Sequence, residues 1–258
     1  MAEKDKLYLE QILEIMRENS GYGKPSIALA MKRNIKLVRR VMNKYGLKGK
    51  KSKKRFKKPK DEGKSDSGIP NRIKNLSPIC PNAFWAGDFT HFAFHGRFLY
   101  LATVIDLYTR EVIGWSTGLH HTAELVIEAL NHAKSRRGRP HTFHSDQGSE
   151  YDSGAFKAQL LANRILPSQS EKSSPWQNGH QESFFGRFKK ELGNWHRFQS
   201  LDELIEAIYR QLHYYNTKRI HRKIKMPPYQ KYLEAVKENL LPEQWLKKRE
   251  KSESESVA

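Results

Sequence analysis

From residue 83 the chain changes character, and the order of its apolar runs narrows the possible folds more than any other feature. Phe84 to Phe92, Phe98 to Ile105 and Glu111 to Ser116 are three short apolar or alternating segments rich in β-formers, parted by turn signals at His95-Gly96 and Leu107 to Arg110. This spacing predicts a three-stranded antiparallel meander. Helix and strand then alternate. Thr122 is placed to cap a helix with Val126, Ala129, Leu130 and Ala133 on its inner face, His141 to Ser145 reads as a brief strand, and Ala155 to Ala162 as a helix. Arg164 to Pro167 reads as a last strand and Gly179 to Leu192 as a longer helix. The order β-β-β-α-β-α-β-α implies an α/β fold, a mixed five-stranded sheet with helices on its faces.

The flanks are of another kind. Leu9, Ile12 and Met16 recur at helical spacing, Pro25 follows a Gly-Tyr-Gly break where it can open a second helix, and Asn34 can cap a third. In that third segment Val38, Val41, Met42 and Tyr45 share a stripe, Lys36, Arg39, Arg40 and Lys44 lie elsewhere, and Gly46 is a C-terminal stop. Residues 1–47 read as a helix-turn-helix region, or as a small helical bundle with a solvated basic face. Residues 48–60 hold nine Lys/Arg, Lys54 and Arg55 among them, and no acid. Such a block repels itself, so 48–80 is expected to be a basic flexible linker that either lies along phosphates or only solubilises. Past Gly193, Ser200 can cap a helix carrying Leu204, Ile208, Leu212 and Tyr215. Pro227-Pro228 is expected to end the regular structure, and Ala207 to Leu233 contains seven Lys/Arg and no acid. Residues 194–258 are thus a basic helical extension of the 81–193 core, polar from Lys247 onward.

A formal charge of +19, from 47 Lys/Arg against 28 Asp/Glu, calls for a polyanionic partner, with nucleic acid first. No run of about 18 apolar residues offers a membrane span. Cys80 as the only cysteine excludes an intrachain disulfide and a cysteine-rich zinc site, in keeping with a reducing cytoplasm.

Asp88 falls within the first strand and Asp146 directly after the fourth, positions where carboxylates are unfavourable unless a cation or a specific hydrogen-bond network compensates. Singly, each is as well read as a structural acid. On the last core helix Phe184, Phe185, Phe188 and Leu192 make the buried stripe, and Glu182, Gly186, Lys189 and Gly193 another. Lys189 lies two turns from Glu182, roughly 10 Å along the axis. That stripe suits either a metal facing a DNA backbone or a solvated Glu/Lys face. Asp106 reads as a turn cap, Glu150 as an acid at a helix start, and His144 as a local hydrogen-bonding group.

Between Asp88 and Asp146 stand 57 residues, and between Asp146 and Glu182 stand 35. With Lys189 seven residues on, this resembles the catalytic signature of the retroviral-integrase-like insertion-sequence transposases. The surrounding words agree: Trp85-Ala-Gly-Asp-Phe-Thr, Tyr100-Leu-Ala-Thr-Val-Ile-Asp-Leu, Val112-Ile-Gly-Trp, His144-Ser-Asp-Gln-Gly-Ser-Glu-Tyr, Asn178-Gly-His-Gln-Glu-Ser-Phe-Phe and Tyr215-Asn-Thr-Lys-Arg-Ile-His. Two words depart from the family: Tyr22-Gly23-Lys24-Pro25 runs into apolar Ile27 to Ala30, and Gln177-Asn178 stands where many relatives carry Asp-Asn.

The resemblance implies a ribonuclease-H-like core that cuts transposon ends and joins the freed 3′ hydroxyl to a target strand. It also implies two Mg²⁺ ions, with Mn²⁺ as a substitute, held by Asp88 as the bridging ligand, Asp146 on one ion and Glu182 on the other. Two ions about 3.5 to 4 Å apart suit phosphodiester displacement, since both attacking and leaving oxygens need charge stabilisation. Expected DNA contacts are Lys189, Asn178, Arg39, Arg40, Lys54, Arg55 and Arg219. For Arg219 and His221 a packing role is the other reading. Expected partners are double-stranded DNA, further copies of the chain in a synaptic complex, and a protein from an upstream frame of the same element. Two rival functions are a nuclease of the same fold acting on RNA-DNA hybrids and a DNA-binding regulator with an inactive core.

Overall fold

The computed structural model describes residues 2–49, 68–74, 76–170 and 179–240. Lys54, Arg55, Asn178 and the tail from Lys247 lie outside the described residues. Three helices come first, α1 (Ala2–Glu18), α2 (Lys24–Ala30) and α3 (Ile35–Lys44). Pro25 stands in the first turn of α2, and Asn34 accepts the Lys36 amide at 2.8 Å at the start of α3. Gly46, at φ +65°, closes α3 with the paired bonds of a Schellman motif, Leu47 N–H to Met42 O and Gly46 N–H to Asn43 O. Ile12, Tyr22, Ile27, Val38, Val41 and Met42 form the core of this bundle.

The sheet follows with strand order β3-β2-β1-β4-β5. Its strands are β1 (Phe84–Phe94), β2 (Arg97–Asp106), β3 (Val112–Gly118), β4 (Thr142–Ser145) and β5 (Leu166–Gln169). His95 and Gly96 both take positive φ, 44° and 79°, so a two-residue turn of the primed type joins β1 to β2. β1, β2 and β3 are antiparallel; β4 joins β1 in parallel, and β5 joins β4 likewise. A parallel neighbour needs a crossover. α4 (Ala123–Arg137) supplies it, packing so closely on the meander that a Cβ on Gly114 would meet Ala129 O at 2.2 Å.

The two-residue period of the strands divides the core between the sheet's faces. Trp85, Ala102, Val104, Ile113 and Phe143 pack with α4 and with α6 (Gly154–Ala162), which follows the single-turn α5 (Ser149–Asp152). Phe92, Phe94, Leu99, Leu101 and Ile105 face α7 (Gly179–Leu192) and α8 (Leu201–Thr217). Phe184, Phe185, Phe188 and Leu192 of α7 form one cluster with Leu204, Ile208, Leu212 and Tyr215 of α8, so packing is continuous past Gly193. The expected five-stranded mixed sheet is found, and its parallel and antiparallel halves are as the element order required.

Two expectations are corrected. β5 begins two residues later than Arg164, because Arg164 takes φ +54° and closes α6 with Ile165 N–H on Leu160 O and its own N–H on Leu161 O. Pro228 does not end the regular structure. It opens α9 (Pro228–Lys237), where the fixed φ and missing N–H of proline suit the first helical turn. Among the described residues no helix is long and apolar enough to cross a membrane.

Gly114→Ala is expected to lower the urea midpoint, at unchanged slope, by the equivalent of roughly 1–3 kcal/mol of overpacking. Gly154→Ala, whose Cβ meets nothing within 4 Å, should leave the midpoint unchanged or raise it.

Candidate active site

β1 and β4 pair with a constant offset: Phe84 lies beside Thr142, Trp85 beside Phe143 and Ala86 beside His144, 58 residues apart in each case. The same step, 88 + 58 = 146, carries Asp88 to Asp146, one residue past the end of β4. Adjacent strands stand about 4.8 Å apart, and laterally paired residues share a face. Asp88 has the parity of Phe92 and Phe94 and so belongs to the face covered by α7, while Asp146 lies just past the last residue of β4.

Asp88 Oδ1 accepts the Phe89 amide at 2.8 Å, and Asp146 Oδ1 accepts the Gly148 amide at 3.0 Å. Both are half-buried and close to Tyr151, which is fully enclosed. The Tyr151 phenol is pushed well above its usual range, first by burial and then by the negative charges of Asp88, Asp146 and Glu150. A Cβ on Gly87 would lie 2.4 Å from Phe143 Cζ and 3.1 Å from Tyr151 Cε1, so the residue before Asp88 has to be small.

Glu182 arrives on α7, which is pinned along β1 at three places. Gln181, at 0% exposure, donates from Nε2 to Ala86 O at 2.5 Å and accepts from Thr103 Oγ1 at 3.3 Å. Lys189 Nζ donates to His91 O at 2.6 Å and sits 5.0 Å from the Phe92 ring centre. Just beyond, Trp195 Nε1 donates to Ala93 O at 2.8 Å. Asp88 lies between the first two anchors, and the half-exposed Glu182 adjoins Gln181. Among the described residues no three His, Cys, Asp or Glu side chains converge closely enough to hold one ion. The structure thus gathers Asp88 and Asp146 around Tyr151 and places Glu182 on the adjoining helix.

The other candidates divide by burial. Lys189 spends its ammonium on a strand carbonyl, and burial lowers its pKa. Arg219, expected on DNA, is 3% exposed with Nε on both oxygens of Glu191 at 2.8 and 3.0 Å, so it serves packing and its charge is matched within the protein. Arg40 is half-exposed and reaches the buried Asp5 at 2.6 Å, leaving Arg39 the more open of the pair on α3. Asp106 is a turn cap as expected, accepting from the Asn82, Tyr108 and Thr109 amides. His144 bonds locally to Ser168 Oγ at 2.9 Å.

Sequence reasoning missed Gln181, Tyr151 and the role of Glu150. Glu150 does stand in the first turn of α5, but it is buried and its Oε1 meets His121 Nδ1 at 2.5 Å. His121 in turn stacks on Phe89, the residue after Asp88, with ring centres 6.0 Å apart. The signal for Gln181 was its position directly before an acid on a helix with an apolar stripe. Nothing in the sequence linked His121 to Glu150.

Residues 78–175 match the integrase core domain family, and residues 163–228 match a second family of the same description. The transposase InsK for insertion sequence element IS150 of Escherichia coli is 34% identical over 226 residues, covering 84% of this chain and 79% of that protein. The transposase for IS904 of Lactococcus lactis is 32% identical, covering 82% and 87%. The chain belongs to the integrase-like insertion-sequence transposases. As a member it is a polynucleotidyl transferase of DNA transposition, and nothing in these likenesses favours a regulator with an inactive core. Two solved structures share the transposase's fold. The HTLV-2 integrase catalytic core domain in complex with magnesium aligns at TM-score 0.52 and 23% identity, covering 60% of this chain and 98% of that one. The simian T-cell lymphotropic virus intasome in complex with a PP2A regulatory subunit aligns at 0.55 and 20%, covering 82% and 70%. The expected ribonuclease-H-like core is therefore present.

Gln181→Leu should remove the bonds to Ala86 O and Thr103 Oγ1 at a fully buried position and lower stability by about 1–3 kcal/mol. Glu182→Gln, at a half-exposed position, should stay within about 0.5 kcal/mol of the parent. Chemical denaturation of the three proteins checks both.

Proposed function

We propose that Asp88, Asp146 and Glu182 are the metal-binding catalytic acids with which this transposase cleaves transposon ends and transfers the strand. The observation that supports the reading is that Asp88 and Asp146 both lie close enough to the buried Tyr151 to raise its pKa, two residues beyond the last pair of the β1–β4 register, with Glu182 on the helix that packs along β1. Their donors are hard carboxylate oxygens with no thiolate nearby, a set suited to Mg²⁺ or Mn²⁺. The HTLV-2 neighbour was solved with magnesium, which is in line with that preference. Bound there, a pair of such ions supplies a nucleophile near neutral pH and offsets charge on the attacking and leaving oxygens.

In this reading Asp88, Asp146 and Glu182 would hold the ions. The protein's part is positioning. The Gln181 latch fixes the first turn of α7, which carries Glu182, against β1, and the buried Tyr151 lies against Asp88 and Asp146. The stacked His121, anchored by Glu150, steadies the backbone at Phe89. Arg39 on α3, together with Lys54, Arg55 and Asn178, is assigned to DNA contact, and the assembly is a synaptic complex of several copies on transposon ends. The intasome likeness is consistent with multimeric assembly, and a protein from an upstream frame remains part of the proposal. With the +19 charge, the working site is the bacterial nucleoid.

Purified chain supplied with Mg²⁺ or Mn²⁺ should nick and join labelled duplexes bearing its own element's ends, and Asp146→Asn should abolish both while keeping the melting temperature. Joining that persists in Asp146→Asn would overturn the assignment. Calorimetric titration with Mn²⁺ should show uptake by the parent and weakened uptake by Glu182→Gln.

A further inference from the structure

Beside α7 the structure holds a second polar site that the triad does not use. It is a cavity of about 350 Å³ with ten lining residues, six of them basic and none acidic: Arg110, His180, Arg187, His221, Arg222 and Lys223. They come from three separate stretches, the β2–β3 turn, α7 and the segment after α8, so only the finished fold brings them together.

Arg110 is the telling member. It sits at φ +66° in the turn, is 5% exposed, and among the described residues its Nε and Nη1 have no hydrogen-bond partner. His221 Nδ1 is likewise buried without a partner. The charge of Asp106 favours the Arg110 cation, but its oxygens are already taken by three backbone amides and the Thr109 hydroxyl. Glu111 is held by Arg136 and Arg137, and Glu191 by Arg219 and Gln211. A guanidinium buried beside other cations, with donors unsatisfied, is costly unless an anion completes it. The same crowding shows in the histidines. Burial, and then the surrounding cations, hold His180 down at about 4 and His221 at about 3.

We propose that this cavity is a phosphate-binding pocket that seats a backbone phosphate of DNA, with Arg110 at its floor and Arg187, Arg222 and Lys223 closing on the anion. A tetrahedral oxyanion matches the donor set, since arginine forks pair with phosphate oxygens and the neutral imidazoles can add donors. The volume is ample for a phosphate with its sugar. DNA as the source follows from the transposase reading. α7 carries Glu182 on one side and His180, Ser183 and Arg187 in the cavity, so a strand held here would be in register with the carboxylates across one helix.

The test uses the full chain, the double variant Arg222→Gln/Lys223→Gln at exposed positions, Arg187→Gln, and Arg187→Lys as the charge-keeping control. Inorganic phosphate, compared with chloride at matched ionic strength, should raise the melting temperature of the parent and of Arg187→Lys. The shift should be at least halved in the double variant and in Arg187→Gln. For a short duplex, the slope of log Kd against log salt should fall by about one per phosphate contact removed. An unchanged phosphate shift in both charge-removing variants overturns the pocket. A lost phosphate shift with an unchanged duplex slope overturns DNA as its source and leaves a free-anion site. Asp146→Asn should keep both the shift and the slope while losing joining, so failure of the triad and failure of this pocket give different results.

Discussion

The parallel pairing of β4 against β1 is the contact on which the rest of the molecule depends. Strands can lie parallel in one sheet only if the chain crosses over between them, and α4 is that crossover. Its closeness to the sheet demands Gly114, and the two-residue strand period then sorts the apolar side chains onto two faces. A slip of one residue in this pairing would send the side chains of β4 to the opposite faces of the sheet and put the chain that leads to Asp146 out of step with Asp88. The apolar alternation of β1 and the aromatic contacts of Phe143 with Tyr151 and Phe156 protect the register, so the packing of the core holds the chemistry in place.

Much of this was legible in the residues. The meander, the crossover helix, the strand after it and the helix bearing Glu182 all follow from period and turn chemistry, and Asn34, Pro25 and Ser200 mark helix starts where the structure has them. Where the reading failed, a local rule met an exception. A Schellman closure normally asks for glycine, and with Arg164 in that place no sequence signal marked the delay of β5. A double proline reads as a stop, yet Pro228 sits at the one helical position that tolerates it. For the candidate site, spacing and motif words picked out the three acids. They could not reveal Gln181, Tyr151 or the His121–Glu150 pair, whose roles arise from contacts between distant elements.

Charge is handled in two ways. Where cations serve the architecture, they are met by acids: Arg137 on Glu111 at 2.8 Å, Arg219 on Glu191, and Arg40 and Lys44 on Asp5. Where they gather without acids, as around Arg110, the fold bears an electrostatic cost that a polyanion can relieve. Among the described residues the cavity around Arg110 is such a place, with six basic residues and no carboxylate in its lining.

The Tyr22 hydroxyl accepts the amide of Ile220 at 2.6 Å, across 198 residues of sequence. With Ile220 packed on the N-terminal bundle and Tyr214 bonded to Asn19, this is among the most non-local joints in the chain. Closing a loop of that length gains nothing until the sheet, α7 and α8 have formed, because the partner surface does not exist before then. The three-helix bundle has its own small core, but its position on the rest of the molecule is set by contacts with α8 and the segment after it, some two hundred residues away along the chain.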